Sequence, residues 1–300
     1  MRLMRYAWGV VLAALLIPAV VVARQSGEDE VDVSAALELW TDVLRDADAL
    51  GTHVLRVSDR EEMALGARVA PQAGTAAAAA DQAYVRAVLA GLTPHVRRKG
   101  ISYEVHVIDA PILNAWAFPG GHIVVTTTML AFLQSEAELA SILGHEIAHV
   151  DARHCIDRFE YQVAFGRAGL GGAGGLVDAA RRMATAGYSK YQEAEADAIG
   201  LRLMIEAGYD PRGAVAPMER MAALRRPAAD ARPANVVSEL GAATANALGE
   251  YLASHPEPDE RVRRLNGRIR AERRRIARRT LYVGQDGYAK RTPRASSNDR

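Results

Sequence analysis

The sequence is poor in three features, and each absence excludes a class of protein. It has one cysteine, Cys155, so no disulfide can form within the chain. It has almost no net charge, because 37 Lys and Arg against 36 Asp and Glu leave +1, which excludes a bulk attraction to nucleic acid. It has no 34-residue repeat, so we predict no helical repeat array. Hydrophobic residues make up 49% of the 300 positions, which is enough for a globular core.

The small net charge hides an uneven distribution. Residues 261–300 carry 14 Lys and Arg against 3 acids, so the rest of the chain carries about −10 by difference. A basic helix is usually a solvated surface. An alternative function is a protein that binds anionic lipid or nucleic acid through this basic end, but export would remove most nucleic-acid partners and we expect none.

The N-terminus has the features of a targeting segment. Arg2 and Arg5 precede an uncharged apolar run from 7 to 23, and Val21-Val22-Ala23 offers small residues to a signal peptidase. We predict that residues 1–23 are a cleaved signal peptide; the alternative is an uncleaved anchor that associates the protein with the inner membrane. Both predict that the rest of the chain is exported to the periplasm or another extracytoplasmic space.

The remaining chain predicts an α+β fold that is mostly helical. Residues 101–107 alternate between apolar and polar side chains, and residues 122–128 are rich in β-branched side chains, so both read as strands of a small sheet. Helical spacing occurs in 33–50, 76–98, 186–207, 211–225, 236–253 and 259–279.

Three boundaries follow from composition. Residues 24–32 are a polar linker, 33–280 are one folded domain, and 281–300 are a disordered basic tail. The glycine-rich and alanine-rich stretch 165–175 predicts a loop, with a membrane-inserting segment as the less favoured alternative; it is too short to span a bilayer.

The most informative short pattern is His145-Glu146-Ile147-Ala148-His149, which reads H-E-x-x-H. On a helix His145 and His149 are one turn apart and point to the same side, so both imidazoles can bind one zinc ion. Glu146 then lies beside the open position of the metal, where it can assist the attack of water on a peptide bond. The pattern predicts one zinc ion per chain.

The surrounding residues support a helix at this pattern. Ser135 followed by Glu138 is typical of a helix start. Apolar residues then recur at helical spacing and predict a buried face: Leu139, Ile142, Leu143, Ile147 and Val150. The alternative interpretation is an amphipathic helix with two histidines near solvent.

A zinc peptidase needs a third ligand from the protein. Cys155 is disfavoured because Ala152 replaces the glycine that would turn the chain back to the metal, and His154 is predicted to face away from it. Glu193 and Asp197 are one turn apart on a second predicted helix, where one carboxylate can bind zinc and the other can orient a histidine ligand. The alternative is a solvated acidic face, which is the interpretation that we give Glu195.

At this point the sequence resembles a known family. It is similar to the gluzincin peptidases, which include the Ste-type CAAX prenyl proteases, the HtpX-like and Oma-type proteases and the periplasmic BepA-like proteases. The resemblance runs from Asp81 to about Leu265 and is carried by four matches in the family's order: Asn114 to Val125 with Pro119-Gly120-Gly121, HEIAHVDARH from His145, Glu193-x-x-Ala196-Asp197, and His255-Pro256 followed by Asp259-Glu260-Arg261. Internal transmembrane helices are absent, which argues against the prenyl protease branch.

The resemblance implies a zincin-like fold of the minimal gluzincin type, with the small sheet beside the H-E-x-x-H helix. It also implies a role for each matching residue. His145, His149 and Glu193 would be the zinc ligands, Glu146 the general base, and Asp197 an orienting carboxylate.

Three further roles are hypotheses. The oxyanion needs a second stabilising group, for which His255 is the candidate; it could instead be a structural corner, or lie near the zinc at rest and block it. The strand 122–127 is predicted to be an exposed edge that could pair with an extended substrate. The residues expected to shape this edge are Asn114, Gly120, Gly121 and Ile123.

The sequence therefore predicts an exported zinc metalloendopeptidase that hydrolyses unfolded or misassembled polypeptides in protein quality control. The alternative is a metal-dependent chaperone or assembly factor with low peptidase activity, since the same residues would be present.

Overall fold

The computed structural model describes residues 57–70, 77–157, 187–225, 248–249, 251–255 and 258–294. All of them belong to one compact unit, Arg56–Arg300. The predicted signal segment 1–23, the linker 24–32, the helix 33–50, the loop 165–175 and most of the predicted helix 236–253 lie outside the described residues.

The described residues are mostly helical and contain one small sheet, so the predicted α+β class is confirmed. The helices are α1 (Asp59–Val69), α2 (Ala79–Leu92), α3 (Thr127–Phe132), α4 (Glu136–Asp151), α5 (His154–Asp157), α6 (Lys190–Glu206), α7 (Ala216–Arg225), α8 (Pro258–Ala271), α9 (Arg273–Ile276) and α10 (Gln285–Ala289). Short 3-10 turns are Thr93–His95, Pro119–Gly121 and Pro211–Ala214, and the strands are β1 (Glu104–Ile108), β2 (Ala115–Ala117) and β3 (His122–Thr126). None of these described helices is long and apolar enough to cross a membrane.

The sheet has the order β1-β3-β2. β3 runs parallel to β1, with Glu104 opposite His122, and antiparallel to β2, with Ala117 opposite Ile123. β3 is thus the central strand, and the prediction that it is an exposed edge was wrong. Strand order depends on which elements meet in space, and the β-branched run that predicted the strand carries no information on its neighbours.

The two faces of the sheet pack against different helices. Side chains such as Ile123 and Val125 join the main core with α2, α4 and α6. Val124, between them in sequence, points to the other face and packs in a smaller cluster with Leu65 and Val69 of α1. This alternation follows from the two-residue period of a strand.

Several helices and strands end at other residues than predicted, because the hydrophobic periodicity does not take capping residues and prolines into account. The helix predicted over 76–98 ends at Leu92, because the residue before Pro94 is disfavoured in α-helical conformation. The predicted strand 122–128 ends at Thr126, whose hydroxyl accepts a hydrogen bond from the Met129 amide and so caps α3. The H-E-x-x-H helix therefore follows α3 and does not follow the strand directly.

Helix α4 lies at the centre of the fold. It begins as predicted, because the Ser135 hydroxyl accepts a hydrogen bond from the Glu138 amide. All sixteen of its residues are buried, including both histidines. The predicted apolar face is confirmed, and the interpretation with two histidines near solvent was wrong because α6 and residues 251–255 cover the polar side as well.

The C-terminal segment is folded against the domain as far as residue 294, so the prediction of a disordered tail was wrong for 281–294. The Glu136 and Ala137 amides at the start of α4 donate to the carbonyls of Gly284 and Val283. The Tyr288 ring is buried, and its hydroxyl donates to the Leu130 carbonyl. The prediction was based on the basic composition of the segment and did not take into account the tyrosines that pack against the domain. Residues 295–300 lie outside the described residues.

Candidate metal centre

Four buried side chains bring potential metal ligands together. One ligand atom from each of His145, His149, Glu193 and His255 lies within 4.8 Å of the others. The His145 and His149 Nε2 atoms are 3.2 Å apart, and Glu193 oxygens lie 3.5 Å and 3.4 Å from them. Ligands at about 2.1 Å around a tetrahedral ion are separated by about 3.4 Å, so the three donors predicted from the sequence already have the spacing that a small ion requires.

Two helices place these donors. His145 and His149 project from adjacent turns of α4, while Glu193 lies in the first turn of α6, which begins at a capping box formed by Ser189 and Gln192. The helices approach closely at Gly144 and Gly200: a Cβ atom at Gly200 would lie 2.9 Å from the His145 amide nitrogen. Glycine at this crossing allows α6 to bring Glu193 within reach of the two histidines.

His255 lies in the same cluster, 110 residues from His145 in sequence. Its Nδ1 atom is 2.9 Å from Glu193 Oε1 and 3.3 Å from His145 Nε2. Its Nε2 atom is 3.5 Å from Glu146 Oε1, which is a longer contact. The hypothesis that His255 lies near the metal position agrees with this geometry, and a corner residue without contact to the centre does not.

Glu146 differs from the other carboxylates of the centre. It is buried, but neither carboxylate oxygen has a hydrogen-bond partner among the described residues. Burial raises the pKa of Glu146 above its ordinary value, although His255 and His145 act in the opposite direction. A carboxylate without fixed partners and with a raised pKa is suited to accepting and releasing a proton.

Asp197 connects His145 to a buried arginine. Its Oδ1 atom lies 3.2 Å from His145 Nδ1, and Arg261 Nη2 donates to the same oxygen at 2.7 Å. Arg261 also donates to the Tyr251 hydroxyl and lies 3.6 Å from Glu193. Burial alone would raise the pKa of Asp197, but Arg261 and His145 hold it well below its ordinary value. Asp197 is therefore placed to orient His145.

The sequence did not predict a role for Arg261 in the centre. Arg261 belongs to Asp259-Glu260-Arg261, part of one of the four family matches, but that match assigned no function to its side chain. Arginine is almost never fully buried unless it is paired, and Arg261 is 2% exposed. Its spacing of four residues from Leu265 places it on the buried face of α8, and this was the signal in the sequence that could have singled it out.

The buried charges favour a divalent cation. Glu146, Glu193 and Asp197 carry three negative charges when ionised, and Arg261 returns one positive charge, which leaves −2. Glu193 Oε2 has no hydrogen-bond partner among the described residues. Burial and Arg261 lower the pKa of His145. The carboxylates of Glu193 and Asp197 have the opposite and larger effect and raise this pKa to about 9, so the position attracts positive charge. The donor set and its charge therefore fit a metal ion of charge +2.

The residues after α4 do not follow the predicted course. Arg153 adopts a φ of 68°, a conformation uncommon outside glycine, and it turns the chain after the helix. His154 Nδ1 consequently lies 3.0 Å from His149 Nδ1, on the side of that ring away from Glu193, and His154 is not a member of the four-residue cluster. It therefore faces away from the metal position, as predicted, but it contacts a ligand, which was not predicted. Cys155 is likewise outside the cluster, as predicted, and its Sγ atom lies 3.3 Å from the Tyr188 hydroxyl.

Glu195 is not simply solvated. One of its oxygens lies 3.3 Å from His154 Nε2, and 38% of its side chain is exposed. The chain His149–His154–Glu195 thus holds the ring of His149 from the side opposite Glu193. The contact between His154 and His149 was not predicted, because the prediction from helical spacing assumed that the helix continues through His154.

The residues predicted to form a substrate edge lie inside the fold. Asn114 is buried and its side-chain oxygen accepts from the Ala115 amide, while Ile123 is buried in the main core. Gly120 and Gly121 have φ angles of 77° and 88° and pack against the backbone of α1 and of Ser102. The two glycines form part of the β2–β3 connection, and the edge of the sheet on this side is β2.

The fold and the centre together define a metalloendopeptidase domain: a buried H-E-x-x-H helix, a carboxylate from a second helix, and a small sheet beside them. The Peptidase family M48 profile matches residues 79–269, which is more than half of the chain. The chain belongs to this family. The resemblance seen in the sequence is therefore confirmed.

Relatives with similar sequences carry two kinds of name. The chain is 34% identical over 194 residues to the mitochondrial metalloendopeptidase OMA1 of Arabidopsis thaliana, covering 63% of this chain and 36% of that protein. It is 30% identical over 189 residues to OMA1 of Schizosaccharomyces pombe, with 61% and 51% covered. It is 25% identical over 197 residues to the beta-barrel assembly-enhancing protease of Escherichia coli strain K12, with 60% and 37% covered. The chain thus spans between a third and about half of the length of these relatives.

Proposed function

We propose that this protein is a zinc metalloendopeptidase in which His145, His149 and Glu193 hold the ion. The observation that carries the proposal is the buried cluster of these three residues beside Glu146, whose oxygens have no hydrogen-bond partner among the described residues. Two imidazoles and one carboxylate are a donor set that catalytic zinc takes, with a fourth position for water or substrate. The arrangement of α4, α6 and the sheet supports a zincin-like fold of the gluzincin type.

The chain's own residues would perform the proton transfers. Zinc, when bound, supplies Lewis-acid chemistry that polarises a carbonyl group and lowers the pKa of water to about 7. Glu146 would accept the proton of the attacking water and pass it to the leaving amine. Asp197, held by Arg261, would keep His145 in the orientation that binding requires. Burial of all these side chains would exclude bulk water and strengthen their interactions.

An extended segment of polypeptide is the substrate that the geometry supports. Alternate residues along β2 turn their backbone groups towards β3. The Phe118 amide donates to the His122 carbonyl, the Asn114 carbonyl accepts from the Thr126 amide, and Trp116 between them pairs with Val124. The alternation of an antiparallel ladder directs the backbone groups of Ala115 and Ala117 to the outer edge of β2. There the Ala115 amide donates to the Asn114 side chain and the Ala117 carbonyl accepts from Cys155 Sγ, so a substrate strand would replace these two contacts. A substrate strand pairing there would be recognised through its backbone, which favours unfolded or misassembled proteins and little side-chain specificity.

The place of action follows from the N-terminal sequence. We propose export through residues 1–23, to the periplasm or another extracytoplasmic space, and a role in protein quality control there. Membrane association through an uncleaved N-terminus is the alternative outcome. N-terminal sequencing of protein from its native host decides, because a mature chain that begins after Ala23 supports cleavage and a retained Met1 in the membrane fraction supports the anchor.

The activity is tested with unfolded casein and the variant Glu146→Gln. This change keeps the size of the side chain but removes the proton acceptor, so cleavage should fall by a factor of about 100 or more while bound metal is retained. Loss of metal in the variant would contradict the proposed role. A chaperone or assembly factor with low peptidase activity is the second candidate; wild-type protein that prevents casein aggregation without cleaving it would favour that function.

A further inference from the structure

A second group of potential metal ligands lies on the sheet, away from α4. Glu104 and His106 are two residues apart on β1, and His122 begins β3 directly opposite Glu104. Residues with this relation point to the same face of a parallel pair, so the three side chains meet on the face that α1 partly covers. His106 Nε2 lies 3.2 Å from His122 Nδ1, and Glu104 Oε2 lies 3.9 Å from the same nitrogen.

These distances suit a small cation. The two nitrogens are almost as far apart as ligands on a tetrahedral ion with bonds of about 2.1 Å, which requires about 3.4 Å. The Glu104 oxygen needs to move by about half an ångström, and its side chain is 56% exposed, so packing does not prevent the movement. One ligand atom from each residue lies within 4.8 Å of the others, as in the main centre.

We propose that Glu104, His106 and His122 form a second metal site for a divalent transition-metal ion of the Zn²⁺ type. Two imidazoles select such ions over Mg²⁺ and Ca²⁺, which prefer oxygen ligands. Glu104 is exposed and the two histidines are partly exposed, which leaves room for water as the fourth ligand. The site shares no residue with the centre on α4 and α6, so it does not depend on the proposed peptidase function.

The position gives such an ion a structural effect. It would join β1 to the first residue of β3, immediately after the turn of Gly120 and Gly121. His122 also accepts the hydrogen bond from Phe118 that ends the pairing of β2 with β3. An ion at this point would therefore stabilise one end of the sheet, where β1 and β3 begin and β2 ends. Without an ion, the same two imidazoles can share one N–H···N hydrogen bond, and this is the competing explanation for their contact.

The experiment is a titration of the full chain with Zn²⁺, read by calorimetry and by metal analysis after gel filtration. Wild-type protein should bind two ions per chain. His106→Gln and His122→Gln should each retain the first ion and bind the second at least tenfold more weakly, since loss of a supporting contact alone costs that much at metal sites. His95→Gln, at a partly exposed histidine outside both groups, is the matched control and should bind two ions.

Glu104→Gln provides a variant at an exposed position, where misfolding is not a concern. It should weaken the second ion and leave the first unchanged. A single ion in wild-type protein that all three variants bind with unchanged affinity would overturn the proposal and leave the imidazole hydrogen bond as the whole explanation. A second ion that persists with unchanged affinity in all three variants would also overturn it, because that ion would be bound elsewhere.

Discussion

Three buried carboxylates lie in the metal centre, and their different contacts indicate a different chemical role for each. Glu193 contacts three imidazoles, Asp197 is held by Arg261, and Glu146 has no hydrogen-bond partner among the described residues. A carboxylate held by cationic or N–H groups keeps its charge and position, whereas one without such partners can change its protonation state. At this scale the chemistry follows from the partners of each side chain and not from its type.

Glu193→Gln should lower zinc affinity by a factor of about 10 to 100 or more, because a neutral amide replaces the only carboxylate of the four-residue cluster. Zinc content after dialysis against a weak chelator measures the loss. Glu219→Gln, on the exposed surface of α7, is the matched control and should keep its zinc. Equal zinc content in the two variants would show that Glu193 is not a ligand.

His255→Ala should raise the basal rate of casein cleavage several-fold. The His255 ring lies against Glu193 and His145. We propose that it covers the fourth position of the bound metal, so its removal should open that position to water and substrate. Turnover at fixed zinc occupancy is the measurement, with His95→Ala as the control. A fall in the catalytic rate with unchanged zinc affinity would show instead that His255 stabilises the oxyanion.

At the scale of elements, the crossing of α4 and α6 decides whether the ligands meet. Gly144 and Gly200 let the two backbones approach until a Cβ at Gly200 would lie 3.0 Å from the Gly144 carbonyl carbon. The obstacle is backbone, so it cannot be relieved by rotating a side chain. The absence of a Cβ atom at Gly144 and Gly200 therefore controls the distance between His145 on one helix and Glu193 on the other.

Gly200→Ala should separate the helices, lower the free energy of unfolding by about 1–3 kcal/mol and weaken zinc binding. Urea unfolding and zinc titration measure the two effects. Gly91→Ala in α2 is the control, since its nearest neighbouring atom would be the Tyr209 hydroxyl at 3.9 Å. That variant should gain about 0.5–1 kcal/mol from the helix preference of alanine. If Gly200→Ala behaves like Gly91→Ala, the close crossing does not limit the site.

At the scale of the whole molecule, the C-terminal segment completes the domain. Glu136, the first residue of α4, accepts hydrogen bonds from the hydroxyls of Tyr84 and Tyr209 and from the Arg294 amide. The carbonyls of Val283 and Gly284 accept from the first amides of the same helix. The segment thus satisfies donors at the buried N-terminus of the helix that carries the metal ligands.

Tyr288→Ala should lower the free energy of unfolding by about 3 kcal/mol, since a ring that is 4% exposed and packs on Tyr84 would be lost. Urea unfolding is the measurement. Tyr191→Ala is the matched control, because that ring is 77% exposed and its removal should change stability by less than about 0.5 kcal/mol. Equal stability of the two variants would mean that residues 281–294 are not part of the folded domain.

Local patterns in the sequence predicted the parts of the protein that a few consecutive residues determine. The regular geometry of a helix puts His145 and His149 on one side, and Ser135 caps α4 where the pattern indicated. The same geometry puts Glu193 and Asp197 one turn apart, with both carboxylates turned towards His145. These predictions held because backbone hydrogen bonds set the spacing whatever the tertiary context.

Contacts between distant segments were decided by the tertiary structure alone. His255 and Arg261 reach His145 across 110 and 116 residues, and neither distance can be derived from local periodicity. β3 became central because β1 and β2 pair on its two sides, and residues 281–294 joined the core through two tyrosines. The sequence by itself determined which side chains carry the chemistry of the centre. Packing decided how these side chains are grouped, because it depends on the shapes and charges of elements that meet only when the chain is folded.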